Sequence, residues 1–114
     1  MKYMLQVRFN GADAVIGGLP PDEQEKVTAE FEAIRRSPGV LDGNQLQAAN
    51  AAVTVRASGG QAVVTDGPAV AARTELNGYY IYDAPDLDAA IAFAARIPVA
   101  RMGGTVEVRG MVER

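Results

Sequence analysis

The sequence predicts an α+β domain in which a mainly antiparallel sheet is covered on one face by two helices. Apolar residues alternate along several short segments, which is typical of strands with one buried face. Two longer segments instead carry apolar residues at helical spacing, and glycine and proline separate the segments from one another. The 114 residues are close to the usual size of one domain, so we expect residues 1–114 to form a single unit.

The first half of the chain begins with a predicted strand over residues 2–9, and its apolar residues share one face: Tyr3, Leu5, Val7 and Phe9. Residues 22–36 predict an amphipathic helix, with these apolar residues at helical spacing: Val27, Phe31 and Ile34. A Pro-Pro pair suits the opening turn of this helix, and a Ser-Pro-Gly turn ends it. A strand over residues 40–46 has weaker support, because aspartate, glycine and asparagine dilute its β propensity.

The second half of the chain opens with a β-hairpin, predicted over residues 52–65 because a central Gly-Gly pair tolerates the positive φ values of a tight turn. A strand over residues 78–83 follows. Asp86 is the predicted N-cap of a second helix, which Pro98 ends. One side of that helix carries these apolar residues: Leu87, Ile91, Ala94 and Ala95. Residues 105–112 form the last predicted strand.

Without the hairpin, the predicted elements follow the order β-α-β-β-α-β of the ferredoxin-like arrangement. In that arrangement both helices cover the same face of the sheet. The other face must then be solvated or covered by a partner. We therefore predict a ferredoxin-like fold with an inserted β-hairpin.

The composition excludes several classes of function. Cysteine is absent, which excludes disulfides, thiolate metal ligands and thiol nucleophiles. Histidine is absent as well, so a Ser-His-Asp hydrolase is excluded. The 11 basic residues are spread along a chain of net charge −3, and we expect no nucleic-acid partner. The longest apolar helical stretch, residues 89–95, is too short to cross a bilayer, so we expect a cytoplasmic protein with no membrane contact. We also expect no cofactor.

Four segments carry a resemblance to a known family: MKYML, VTDGP, LNGYYIYDAPDLDAAIAFAARIP and GGTVEVR. With these segments the chain resembles the YCII-related proteins, specifically their DGPF branch. The resemblance implies a subunit of the dimeric α/β-barrel superfamily, whose two sheets pack face to face and enclose a cleft. A homodimer with a small-molecule ligand in that cleft is therefore expected.

Some relatives in the wider family look like small lyase-type or dehalogenating enzymes built around a histidine-aspartate pair. This sequence departs from that pattern because it has no histidine. It departs again after Asp66-Gly67-Pro68, where Ala69 and Ala71 replace the Phe and the acidic residue that are usual in the branch.

Asp66 is the leading catalytic candidate, because a carboxylate beside a rigid Gly-Pro turn at the end of a strand is held in a fixed position. As a general base it would also need burial, since a free carboxylate is a weak base near neutral pH. The sequence favours a second role, in which the Asp66 side chain stabilises its own turn by accepting from backbone N–H groups two residues on.

Arg8, Arg73 and Tyr80 are the candidate ligand-binding residues. The guanidinium of Arg73 suits an anionic group, although a solvent-facing side chain explains it equally well. Arg8 lies opposite the apolar face of the first strand and would point into a dimer cleft if that face met the partner, although a solvent-facing strand shows the same alternation. Tyr80 shares a strand face with Tyr82, and Tyr79 lies on the other face, so at most one of these sets lines a cavity. Packing explains all three tyrosines without a ligand.

Asp83, Asp86 and Asp88 resemble a carboxylate cluster. The cap position of Asp86 and the first-turn position of Asp88 explain these residues without a metal. Calcium would require more oxygen ligands at loop spacing than this segment carries. We therefore expect no metal site.

Three functions are open at this point. The first is a homodimeric small-molecule-binding or accessory protein whose cleft is lined by Arg8, Arg73 and Tyr80 and rimmed by Asp66. The second is a small cofactor-free enzyme of lyase, isomerase or dehalogenase type, with Asp66 as general base and a tyrosine as proton donor; the missing histidine counts against it. The third is a structural or protein-interaction module, which a cavity of a few hundred Å³ would argue against, since ligand pockets are roughly of that size.

Overall fold

The computed structural model describes residues 1–69 and 74–113, apart from the side chain of Asp13. In chain order the elements are β1 (Lys2–Arg8), α1 (Ala12–Gly17), α2 (Pro21–Arg35), β2 (Val40–Gln45), β3 (Val53–Ser58), β4 (Gln61–Asp66), β5 (Leu76–Asp83), α3 (Leu87–Ala94) and β6 (Thr105–Gly110). Short 3-10 turns lie at Ala49–Ala51 and Pro98–Arg101. The predicted α+β class is confirmed.

Four strands form an antiparallel sheet in the order β2-β5-β1-β6, and β3 pairs only with β4 in a separate two-stranded sheet. The central strand β1 pairs with β5 and β6, while β2 and β6 are the edges. This strand order is compatible with a ferredoxin-like fold. The hairpin lies in the chain between β2 and β5, as an insertion.

The core lies between the four-stranded sheet and the helices. Alternate residues of β1, namely Tyr3, Leu5 and Val7, are buried in it. The helices contribute Ile34 from α2 and a group from α3: Ala90, Phe93 and Ala94. Because side chains alternate along a strand, the remaining residues of β1 point away from this core, and these residues are half-buried: Met4, Gln6 and Arg8. The face opposite the helices is called the open face below.

The hairpin formed by β3 and β4 projects from this body. Its turn is the predicted Gly59-Gly60 pair, whose φ values of 58° and 80° are those that glycine adopts at little cost. In both strands every residue except Thr54 is exposed. The Cα radius of gyration of 16.1 Å exceeds the roughly 13 Å expected of a compact chain of this length, because the hairpin extends outward.

Two helices differ from the sequence-based expectation. Helix α1 was not predicted, because its six residues are too few to show a helical period. On α3, Leu87 and Ile91 belong to the predicted apolar side, yet both are 50% exposed. Phe93 is buried instead and stacks on Tyr82 of β5, with ring centroids 4.0 Å apart and an interplanar angle of 11°. This contact turns the Phe93 side of α3 toward the sheet.

Asp86 caps α3 as predicted, since its Oδ1 accepts a hydrogen bond of 2.8 Å from the backbone N–H of Ala89. We expect Asp86→Ala to lower the free energy of unfolding by about 1 kcal/mol, because it removes this cap. Asp88→Ala is the matched control, since it removes a first-turn charge but no cap, and should cost at most about half as much. Urea unfolding compares the two variants, and equal losses would contradict the assignment of Asp86 as the cap.

Candidate functional site

A cavity of about 430 Å³ lies between helices α1 and α2 and the sheet face that they cover. Its volume falls at the lower end of the roughly 300–1,000 Å³ that is usual for small-molecule pockets. The lining combines apolar residues such as Val27 and Phe31 with the charged residues Glu32 and Arg35, all four from α2. It therefore offers both an apolar surface and polar groups to a ligand.

Tyr80 of β5 lines the cavity and is only 8% exposed. Its ring lies against Gly43 of the neighbouring strand β2, where a Cβ atom would approach the ring carbon Cδ1 to 2.5 Å. Glycine at position 43 is therefore what leaves room for the aromatic ring. The Tyr80 hydroxyl makes no hydrogen bond within the described part of the chain and keeps contact with solvent, although most of the residue is buried.

Three influences act on the Tyr80 hydroxyl, and together they raise its pKa. Burial raises the pKa, the positive charge of Arg35 lowers it, and the negative charge of Glu32 raises it. The net effect keeps the hydroxyl protonated at neutral pH, where it can donate a hydrogen bond. Because both charged residues also line the cavity, the hydroxyl lies on the cavity side of the Tyr80 ring.

The two charged side chains of the cavity differ in their partners. Glu32 forms an ion pair with Arg36, with 3.7 Å between its Oε2 and the Nη2 of the arginine. No carboxylate of the described residues lies within ion-pair distance of Arg35. The guanidinium of Arg35 is thus a cation whose donors are free to bind an anionic group.

Two amide side chains hold the walls of the cavity in place. Gln24 donates from Nε2 to the carbonyl oxygens of Gly17, at 3.1 Å, and Leu19, at 2.7 Å, which joins the end of α1 to α2. Asn77 donates from Nδ2 to the carbonyl oxygen of Phe9 at 2.7 Å. Both amides line the cavity, and their N–H groups are used to position the backbone.

Arg8 lies on the open face, on the other side of the sheet from Tyr80. Its Nε is 3.2 Å from Oε1 of Glu107, and its guanidinium donates at 3.4 Å to the Oε1 of Gln6 and to the carbonyl oxygen of Thr74. The structure therefore does not bring the predicted pair Arg8 and Tyr80 together, because one sheet separates them. A ligand role for Arg8 stays a prediction.

The register places the Tyr79 side chain on the open face, although residue 79 also borders the cavity, whereas Tyr80 and Tyr82 face the helices. The Tyr79 hydroxyl donates to Oδ2 of Asp42 at 3.1 Å and accepts from Nδ2 of Asn44 at 2.9 Å. These contacts satisfy the hydroxyl and leave it no free donor. Of the three tyrosines, Tyr80 is the one with a hydroxyl available at the cavity.

Asp66 is exposed at the end of β4, and its carboxylate contacts no donor in the described part of the chain. The expected turn role of its side chain is not observed. The residue two positions on is Pro68, which has no backbone N–H to donate. Gly67 closes the hairpin instead: its φ is 90°, its N–H donates to the Ala52 carbonyl at 2.7 Å, and its carbonyl accepts from the Thr54 hydroxyl at 2.7 Å.

Arg73, the remaining predicted ligand-binding residue, lies outside the described residues. Sequence reasoning also missed Glu32 and Arg35, although a signal was present. Thr28, Glu32 and Arg35 follow one another at helical spacing, beside the predicted apolar stripe of the same helix. A polar stripe adjoining an apolar one marks the border between the core and the surface, where pockets open.

Within residues 1–69 and 74–113, no group of three or more histidine, cysteine, aspartate or glutamate side chains is placed to hold a metal ion. In the same ranges no helix has the length and apolar character needed to cross a bilayer. The expected cytoplasmic location stays a prediction.

Comparison with known proteins identifies the family. Residues 1–113 match the YCII-related domain. The chain belongs to the YCII-related family. This YCII-related protein is also 32% identical over 102 residues to an uncharacterised protein of Rhizobium meliloti (strain 1021), with 85% of this chain and 82% of that protein covered.

The raised pKa of Tyr80 predicts a dependence of stability on pH. Because the pKa is higher in the folded chain than the usual value of 10.0, the unfolded chain loses the proton first as the pH rises. The contribution is fully present below about pH 10 and is lost as the pH rises through the folded-state pKa. In urea denaturation, the unfolding free energy of the wild type should decline above about pH 10 more steeply than that of Tyr80→Phe.

The control lies within the same titration: well below pH 10 the hydroxyl of Tyr80 is protonated in both states, so the difference between the two proteins should not change with pH there. If the wild type and Tyr80→Phe declined in parallel, Tyr80 would not be the buried group described above.

Proposed function

We propose that this YCII-related protein is a homodimeric small-molecule-binding protein whose ligand occupies the cavity between α2 and the sheet. The observation that supports this function best is a cavity of about 430 Å³ at which the Tyr80 hydroxyl is protonated and has no hydrogen-bond partner among the described residues. The proposal moves the ligand from a cleft between two subunits to a cavity within one chain. A cavity of this size argues against a structural or protein-interaction module whose interior is filled by side chains.

Binding is favoured over catalysis because, among the described residues, Glu32 is the one carboxylate that lines the cavity. Asp66 is exposed on the hairpin and does not line the cavity. Glu32 lines the cavity, but it is exposed and paired with Arg36. The sequence contains no histidine that could act as the general base. The enzyme hypothesis with Asp66 as general base thus gains no support.

We assign the chain within its family to the DGPF branch, on the residues Asp66-Gly67-Pro68. The tripeptide lies at the base of the hairpin, where the φ of 90° at Gly67 favours glycine and proline prevents further pairing of β4. The position of the tripeptide supports a structural role, because it ends the hairpin and none of its three residues lines the cavity.

Filling the cavity tests the proposed function. Thr28 lines the cavity from an exposed position on α2, so Thr28→Trp should occupy the space without opening the core. Amide chemical shifts in NMR spectra, recorded with a set of neutral, anionic and cationic fragments, should show binding around α2 and Tyr80 in the wild type. We expect Thr28→Trp to weaken this binding by about tenfold or more, because the inserted ring excludes the ligand.

Ala29→Trp is the matched control, because Ala29 is the next residue of α2, is exposed and does not line the cavity. It should bind the fragments as the wild type does. Fragments that shift only residues of the open face, or that bind Thr28→Trp unchanged, would show that the cavity is not the ligand site.

The hairpin supports the homodimer. Val53, Val55 and Val64 share one of its faces, and each is 61% exposed. Along β3, Val53 and Val55 alternate with Thr54 and Arg56, which is typical of a strand with one buried face, yet this chain leaves the face bare. An isolated two-stranded hairpin is only marginally stable in water. We propose that a second copy covers the face, because a two-fold pair buries both bare hairpins by the same contacts.

A charge on the apolar face of the hairpin tests the homodimer. Val64→Lys should raise the dimer dissociation constant by about tenfold or more, because burying one valine contributes about 1.5–3 kcal/mol and each dimer contains two copies. Thr65→Lys is the control, since Thr65 is exposed on the other face of the same strand. Native mass spectrometry over a dilution series measures both. A wild-type monomer, or a dimer that both variants leave intact, would contradict the proposal.

A further inference from the structure

The two charged side chains that line the cavity, Glu32 and Arg35, differ in whether they already have an ion-pair partner. Glu32 already has a cationic partner in Arg36, whereas Arg35 has no carboxylate within ion-pair distance among the described residues. Arg35 is exposed in the last turn of α2, and it lines the cavity. An arginine guanidinium presents its N–H groups in a planar fork that matches the two oxygens of a carboxylate.

Tyr80 is a second donor at the same place. Its side chain is more than nine-tenths buried, its hydroxyl makes no hydrogen bond with the described residues, and the charge of Arg35 acts on it directly. The hydroxyl donor is therefore free, and a ligand group in the cavity can accept its proton. Each carboxylate oxygen has two lone pairs, so one group can accept from both Tyr80 and Arg35.

We infer that the cavity takes a small monocarboxylate with an apolar body, whose carboxylate pairs with Arg35 and accepts a hydrogen bond from the hydroxyl of Tyr80. This ligand class rests on the proposed function, because it assumes that the cavity is the binding site. The apolar body lies against side chains of α2 and the sheet: Val7, Val27 and Phe31.

Two other classes of ligand fit the charges less well. A phosphate monoester carries close to two negative charges at neutral pH and would meet a single free cation beside the Glu32 carboxylate. The partial negative charge at the end of α2 opposes such an anion further. A cationic ligand would have to compete with Arg36 for Glu32 and would leave Arg35 and the Tyr80 hydroxyl without acceptors.

Matched probes test the ligand class. Phenylacetate and hexanoate are the carboxylate probes, their primary amides are neutral controls, and phenethylammonium is the cationic control. Titration followed by the amide shifts of cavity residues measures each Kd. We expect the carboxylates to bind about 10- to 100-fold more tightly than the amides, because hydrogen bonds to charged groups are worth about that factor.

Arg35→Gln should remove this preference, because it removes the positive charge that distinguishes the carboxylates from their amides. Lys26→Gln is the matched control, because Lys26 is a cation at an exposed position of the same helix, forms no ion pair with the described residues and does not line the cavity. It should retain the preference. Tyr80→Phe should weaken phenylacetate by about three- to tenfold, the usual effect of losing one hydrogen bond, while its circular dichroism spectrum reports whether the variant folds.

The outcomes separate the ligand class from the proposed function. If the amides or phenethylammonium bound at the cavity as tightly as the carboxylates, with no effect of Arg35→Gln, the carboxylate inference would be overturned and the binding function would stand. If neither carboxylate shifted the cavity resonances, the inference would be overturned as well. The fragment set and Thr28→Trp then decide the binding function by themselves.

Discussion

The alternation of side chains along β1 is the constraint on which the rest of the molecule depends. β1 is the one strand of the main sheet that joins β5 to β6, and it buries Leu5 completely in the core. A shift of one residue in its pairing would move every apolar side chain of the strand to the open face. The same alternation places Arg8 on the open face and Tyr80, the direct neighbour of Leu5, on the face of the helices.

In a barrel formed between two subunits, ligand binding would depend on assembly, whereas the position of this cavity does not require it. In such a barrel the ligand site exists only when two sheets meet. Here the cavity is bounded by α1, α2 and the sheet of a single chain. The hairpin, whose apolar face we assign to the partner, contributes no residue to it. If both proposals hold, assembly and ligand binding involve different surfaces of the protein.

Local patterns in the sequence were sufficient for most of the fold. The period of two along β1, the spacing of Val27 and Ile34 in α2, the Gly-Gly turn of the hairpin and the Asp86 cap each depend on neighbouring residues only. Helix α1 was missed because a six-residue segment is too short to show a period. The exposed side of α3 was misjudged because the stacking of Phe93 on Tyr82 is a contact distant in sequence.

The site was predicted only in part, since it depends on the register between strands. Tyr80 was identified from its strand pattern, but the sequence does not show which face of β5 aligns with which face of β1. That register, Leu5 opposite Tyr80, is what separates Tyr80 from Arg8. Arg35 was not singled out from the sequence. Its proposed role depends on two features that only three-dimensional proximity shows: no carboxylate of the described residues pairs with it, and the hydroxyl of Tyr80 is nearby.

The contact between Gly43 and the Tyr80 ring has a consequence for variation of the pocket. A residue with a Cβ at position 43 and an aromatic ring at position 80 compete for the same space. A sequence with a side chain at position 43 of β2 needs a smaller or differently oriented side chain at position 80 of β5. Conversely, a smaller residue at position 80 leaves room for a side chain at position 43. The two positions are therefore a coupled pair, through which either an engineer or natural drift would change the size of the pocket while the strand pairing stays the same.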